Sequence, residues 1–226
     1  MAEPSPPLPD PTYRNVVWRS IQILLKLVFT FCFRYRCRHL ERIPTEGGGL
    51  ILSNHQSYLD PLLIGLPMQR PVSYIARDSL FRVPIIGWIL RKTYVMPINR
   101  DAAGTESVRE AVRRMQAGYL VGVFPEGTRS TDGELGEIKP GFVALARRSN
   151  LPILPVGIAG AYRVMPKGGL RFYCRKVRVV YGEPIPAEKV RELARKGNEA
   201  EFLETIRRHI QMCLDEANEW LLESRS

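Results

Sequence analysis

The run "GLILSNHQSYLDPLLIG" (residues 49–65) decides the fold. Its first five residues, apolar but for the closing Ser53, are too few for a helix and read as a buried strand. A polar break carrying Asn54, His55 and Ser57 follows, and Asp60–Pro61 then opens a fresh apolar stretch. A strand passing through a polar turn into a helix is the elementary unit of α/β proteins. His55 therefore emerges at a strand end, the usual location of sites in such sheets. Asp60, five residues on, would sit about 140° away around an ideal helix, so the two cannot share a helical face. They meet only if His55 precedes the helix and Asp60 lies in its first turn, an entry that Ser57 as a cap and Pro61 just inside would suit. The carboxylate can then hold one imidazole nitrogen while the other takes a proton from a substrate hydroxyl. A plainer alternative uses the same residues: a capping aspartate beside a hydrogen-bonded surface histidine.

Working outward, β-rich runs alternate with helical stretches. The candidate strands are "GLILS", "VSYIA", "TYVMPI", "YLVGVF", "LPILPVGI" and "KVRVVYG". Between them lies "SVREAVRRMQAG", with the spacing of a capping box at Ser107 and Glu110 and a stop at Gly118. The C-terminal residues 198–224 have helical apolar spacing. The alternation predicts an α/β fold: a single layered domain over residues 43–226 with a mostly parallel central sheet flanked by helices.

Residues 1–42 form a separate N-terminal segment. Five prolines within "MAEPSPPLPDPT" predict an irregular lead-in. An apolar run from Ile21 to Phe33 follows, interrupted by Gln22 and Lys26 and closed by Arg34, Arg36 and Arg38. This run is shorter than the roughly 20 apolar residues that span a bilayer. Trp18, Tyr35 and the arginines instead match an interfacial helical segment lying at the headgroups; a buried core helix with a basic collar is the alternative. A net charge of +10 points to an anionic partner, either phosphate-bearing molecules or a membrane surface. Nucleic acid is disfavoured, because the arginines are not interleaved with aromatics in a binding motif. Three histidines and four cysteines, none at metal-ligand spacing, imply no metal and reduced thiols facing the cytosol.

The second chemical constellation is "YLVGVFPEGTRS", residues 119–130. A strand runs into Pro125, Gly127 allows close backbone approach, Thr128 offers a hydroxyl, and Arg129 presents a planar fork suited to phosphate. Glu126 beside an anion needs another task, such as orienting Arg129 or accepting from a polyol hydroxyl. A tight polar turn is the alternative reading. Arg77 and Arg100 each follow a strand-like run and could add positive charge at the same sheet edge, or be solvated surface arginines. The apolar "SLFRVPIIGWIL" (residues 79–90) could line a groove for a hydrocarbon chain.

Taken together, Asn54–His55 with Asp60, "INR" ending at Arg100, "FPEGTRS" and "LPILPVGI" stand in the order of the four blocks of the glycerolipid acyltransferases, and the chain resembles the 1-acyl-glycerol-3-phosphate acyltransferases most. The resemblance spans roughly residues 40–185. It implies His55 as general base, Asp60 as its orienting partner, and Glu126, Gly127, Thr128, Arg129, Arg100 and Arg77 as holders of the acceptor phosphate. It further implies a lysophosphatidic acid-like lysophospholipid acceptor and an acyl thioester donor, on coenzyme A or an acyl-carrier protein, with no other cofactor. The implied location is peripheral or monotopic on the cytoplasmic face of a membrane. Acylation of glycerol 3-phosphate and a noncatalytic basic membrane-binding module are the rivals; a His/Asp hydrolase lacks the G-x-S-x-G elbow. Asn99 stands where the family often has Asp, and Arg77 where Lys is common, which bears on acceptor preference. An oxyanion donor is required, with backbone N–H groups near Asn54 or Gly127 as candidates.

Overall fold

A computed structural model describes residues 8–11, 13, 15–98, 105–169 and 171–223. Among these residues seven strands form one sheet: β1 (Arg36–Arg38), β2 (Gly49–Ser53), β3 (Val72–Arg77), β4 (Met96–Ile98), β5 (Leu120–Val123), β6 (Ile153–Ala159) and β7 (Arg178–Tyr181). Their order is β1-β7-β6-β2-β5-β3-β4. Only the β6–β7 pair is antiparallel; the other five are parallel. The expected mostly parallel sheet flanked by helices is the architecture found.

The central strands are short, unbroken apolar runs because both faces of the sheet are covered. Leu50 and Leu52 of β2 enter one hydrophobic layer and Ile51 the other, as a two-residue side-chain period demands. The first layer is closed by α5 (Thr105–Gln116), α6 (Gly141–Ser149), α8 (Ala187–Leu193) and α9 (Glu199–Glu223), and the Phe142 and Phe202 rings meet edge-to-face at 5.4 Å. The second is closed by α1 (Val16–Phe33) and α2 (Asp60–Gly65). The described residues also include the helices α3 (Asp78–Phe81), α4 (Pro84–Lys92) and α7 (Ala161–Val164).

Four local readings change. Residues 36–38, read as part of the basic collar, are a strand that pairs with β7. The capping box does not form: α5 already includes Thr105, Ser107 lies inside it, and Glu110 instead pairs with Arg113 and Arg114. In "TYVMPI" only the last three residues are strand, since Tyr94 adopts a left-handed φ of 64°. Finally, α1 is one continuous helix of 18 residues with mean hydropathy 1.6, long and apolar enough by those measures to cross a membrane, whereas the run Ile21–Phe33, interrupted by Gln22 and Lys26, reads from sequence as too short. The polar Gln22 that interrupts the run donates to the carbonyls of Leu66 and Met68, docking one face of α1 beside α2.

Helix α9 lies flat across β6 at Gly157. A Cβ there would fall inside the contact distance of the Cys213 and Leu214 backbone, which cannot rotate away as a side chain could. Gly157→Ala is expected to destabilise the fold by about 1–3 kcal/mol, the cost of overpacking. Gly65→Ala, facing open space, should be neutral or slightly stabilising. Thermal denaturation of the two variants checks this packing, and equal melting temperatures would contradict it.

Candidate active site

The site begins where β2 ends. Ser53 is the last strand residue, and Asn54 stitches the strand to β6: its Nδ2 donates to the Ile158 carbonyl at 2.9 Å and its Oδ1 accepts from the Ile158 amide at 2.8 Å. The main chain then turns, and α2 starts at Asp60. Ser57 is not its cap; the Ser57 hydroxyl donates to the Met165 carbonyl. Asp60 itself closes the turn. Its Oδ2 accepts from the backbone N–H of Gln56 at 2.6 Å, from that of Ser57 at 2.7 Å and from His55 Nδ1 at 2.7 Å.

This convergence explains how a residue five positions away reaches the imidazole without a shared helical face. Asp60 is fully buried. An isolated ion there would cost several kcal/mol, so the three donors are what keep a carboxylate in this position. Burial pushes the Asp60 carboxyl above its ordinary range, against the lowering effects of His55 and the Ser57 and Gln56 amides. An acceptor at Nδ1 selects the tautomer protonated on that nitrogen and leaves the lone pair on Nε2. Phe124 stacks on the imidazole with ring centroids 4.1 Å apart and planes 16° apart, fixing its remaining rotation.

The loop after β5 holds the histidine from the other side. Glu126 is buried, and its carboxylate accepts from the His55 amide at 2.7 Å and from the Gly136 amide at 3.0 Å. Burial raises its pKa, partly offset by these two amides. Glu126, expected among the phosphate holders, ties the histidine backbone to its own loop. The Ser130 amide donates to the His55 carbonyl at 2.7 Å, a second tie between the same segments. Gly127 takes a φ of 68°, open to glycine at no steric cost, and its amide donates to Phe124 O, so that N–H is engaged rather than available as an oxyanion donor.

His55, Gly127, Thr128 and Arg129 line one groove of about 710 Å³. The Arg129 guanidinium lies 3.5 Å from the centroid of the Tyr58 ring, and its buried Nη1 has no hydrogen-bond partner among the described residues. Sequence reading missed Lys167, whose ammonium donates to Thr128 Oγ1 at 3.1 Å and to the Arg129 carbonyl at 2.8 Å. It also missed the Phe124 stack and the Tyr58 platform. The signal for Tyr58 is its place between the paired histidine and aspartate, whereas Lys167 is brought in from beyond β6 by tertiary structure alone. Away from this polar end the groove is apolar, with walls from α1 (Ile21, Leu25), α3 (Leu80) and α4 (Ile89, Leu90). The expected hydrocarbon-lining segment thus contributes, together with α1. Arg77 is described in its backbone alone, as the last residue of β3, and Arg100 lies outside the described residues.

The sequence profile of the acyltransferase family matches residues 34–159. Over 182 residues the chain is 35% identical to the 1-acyl-sn-glycerol-3-phosphate acyltransferase of Pseudomonas aeruginosa, covering 78% of this chain and 69% of that protein. It is 30% identical over 177 residues to the chloroplastic 1-acyl-sn-glycerol-3-phosphate acyltransferase BAT2 of Brassica napus, which covers 76% of this chain and 49% of the plant protein. The chain therefore spans about half the length of its plant relatives. The crystal structure of the 1-acyl-sn-glycerophosphate acyltransferase PlsC from Thermotoga maritima superposes with a TM-score of 0.75 at 27% identity, over 88% of this chain and 78% of that one.

Asp60→Asn separates stability from chemistry. The folded carboxyl titrates above its unfolded value, so the stability it contributes is present below the unfolded pKa and is lost as pH rises through the folded one. The melting difference between the variant and the parent should move in the variant's favour from acidic to neutral pH. Melts across that range check the sign.

Proposed function

Because the chain belongs to the acyltransferase family, we propose that it moves a fatty acyl group from an acyl thioester to the free hydroxyl of a lysophosphatidic acid, giving phosphatidic acid. The observation that carries this reading is the His55–Asp60 contact of 2.7 Å at the mouth of a groove with cationic groups at one end and apolar walls behind.

A thioester is already activated, so no covalent acyl intermediate is required. His55 Nε2 removes the proton as the acceptor hydroxyl attacks the carbonyl, and returns it to the departing thiolate. Acid–base help of this kind contributes about 100-fold to 10,000-fold. Asp60 holds the ring and stabilises the imidazolium that forms between the two proton transfers. Arg129 takes the acceptor phosphate through its planar fork, with Lys167 beside it; Arg77 and Arg100 complete the proposed cation set. Orientation by such a clamp can count for more than the proton transfer itself.

The apolar groove suits a hydrocarbon chain, and the relatives named for 1-acyl-sn-glycerol-3-phosphate favour a single-chain acceptor over glycerol 3-phosphate. The donor is an acyl group on coenzyme A or on an acyl-carrier protein, and the reaction as drawn needs no metal or further cofactor. Membrane association follows from the substrates. An outward stripe of α1, with Ile23, Leu24, Leu27 and Phe31 all more than half exposed, would enter the headgroup layer of the cytoplasmic face. Basic residues near an anionic leaflet add about 1 kcal/mol each.

Incubating the purified protein with labelled acyl thioester and a panel of lysolipids tests the assignment. His55→Ala should lower turnover by at least about 100-fold while leaving folding and vesicle binding intact; a variant retaining full turnover removes His55 from the mechanism, and anion binding without any turnover in the parent favours the noncatalytic module. Arg129→Ala should raise KM for lysophosphatidic acid by at least tenfold, the range of about 1.5–3 kcal/mol for hydrogen bonds to charged groups. It should leave monoacylglycerol, the acceptor without a phosphate, nearly unaffected. Equal effects on both acceptors would separate Arg129 from the phosphate.

A further inference from the structure

A second cavity, of about 500 Å³, opens at the far corner of the sheet, where the end of α1 meets β1, β7 and the last turns of α9. Its lining is strongly cationic. Arg34, Arg36, Lys176 and Arg178 face it, against the single carboxylate of Glu223. That carboxylate is already drawn toward Arg38, whose Nη2 lies 3.9 Å away.

Arg178 anchors the corner. It is 2% exposed, and its Nη1 donates to the Arg34 carbonyl at 2.6 Å and the Val177 carbonyl at 2.9 Å, closing the C-terminal turn of α1. The indole of Trp220, another wall of the cavity, has Arg178 4.9 Å and Arg38 4.1 Å from its ring centroid. Burial, and then the neighbouring Arg36 and Arg38, hold the Arg178 guanidinium below its usual pKa, which reflects the same crowding of positive charge. Four basic side chains around one cavity raise a positive potential that attracts an anion.

Position decides what kind of anion. The exposed stripe of α1 runs through Leu24, Leu27 and Phe31 at helical spacing, and Arg34 is the next position in that register. The cavity therefore opens where the apolar stripe ends, which is headgroup depth for a helix lying in the interface. We propose that this corner is a second anion site, distinct from the His55 groove, that takes the headgroup phosphate of an anionic phospholipid in the membrane on which α1 lies. The proposal rests on the interfacial placement of α1 and not on the acyl transfer reaction.

The test is co-sedimentation of the full chain with phosphatidylcholine vesicles, with and without phosphatidylglycerol, in the absence of any acyl donor. Each basic residue at an anionic surface is worth about 1 kcal/mol, or roughly fivefold in binding. Arg34→Gln with Arg36→Gln should therefore weaken capture by anionic vesicles by about 25-fold, with little change on zwitterionic ones. Lys176→Gln alone should weaken it about fivefold, and it serves as the second variant should the pair fold poorly; Arg178 is left in place because it closes α1. Arg191→Gln with Lys196→Gln, exposed around α8 on the other layer, should change capture by less than about twofold, since charges more than a Debye length from the surface are screened. Equal losses from the two pairs would mean diffuse attraction and overturn the site. So would failure of the parent to prefer anionic vesicles.

A second arm separates lipid from free phosphate. Dioctanoyl phosphatidylglycerol should perturb the part of the tryptophan emission that Trp220→Phe removes, whereas inorganic phosphate at matched ionic strength should not. Saturation of that signal by inorganic phosphate would assign the cavity to a soluble anion and overturn the lipid source. Vesicle capture is read without turnover, so failure of this proposal and failure of the acyltransferase reading give different results.

Discussion

One fully buried carboxylate oxygen organises the site. Asp60 Oδ2 accepts from two consecutive backbone amides and from the His55 ring, so the turn between β2 and α2 and the orientation of the imidazole are set by one atom. The turn would otherwise leave two amides to be satisfied elsewhere, and the aspartate would be an uncompensated buried charge. Neither could form without the other. Since a buried carboxyl with a raised pKa is destabilising in its charged form, the fold tolerates a local penalty at the point where the histidine needs a fixed partner. Stability elsewhere carries it, chiefly the two apolar layers on either side of the sheet.

A comparable division of labour is seen in the loop after β5. Its glutamate spends both oxygens on backbone amides while its arginine stays within the groove. The opposite charges of "EGTR" thus do not compete for one ligand: Glu126 faces inward and supports His55, and Arg129 lines the groove. The hydrogen bond from the Ser130 amide to His55 O locks the two segments together, so the proposed base and the proposed phosphate holder move as one unit. For a reaction that depends on aligning a hydroxyl between them, such rigidity matters more than any single contact.

The fold was legible from sequence because its signals are local. Short apolar runs separated by turn residues become doubly covered parallel strands, and all six expected strands lie in the sheet. What escaped was decided by partners distant in the chain. Arg36–Arg38 carries no apolar pattern and is strand only because β7 offers it an edge. Glu110 had the spacing of a capping residue, yet two arginines one turn later hold it instead. At the site, the His55–Asp60 pair followed from helix geometry, but the task of Glu126 did not, because its two amide partners come from residues 55 and 136. Lys167 was invisible for the same reason, since its proximity to Thr128 exists only once β6 and the turn beyond it are in place.

The two ends of α1 bear on how the protein can meet a lipid surface. Near its start the helix supplies Ile21 and Leu25 to the groove that reaches His55, and at its end it stops against the Arg34–Arg178 corner. The stripe between them is apolar and uncovered. One helix therefore links a hydrocarbon-compatible wall to a cationic cavity, and its orientation relative to the sheet is fixed by Gln22 at one point and by Arg178 at another. A helix held at two points cannot tilt independently of the domain. If its exposed stripe enters the interface, the groove mouth is brought to the same surface without further motion, so a single-chain lipid would exchange the bilayer for the groove with little of its tail crossing water. Avoiding that exposure would be worth about 0.8 kcal/mol for each methylene kept out of water, a physical advantage of building one wall of the groove from the helix that carries the exposed apolar stripe.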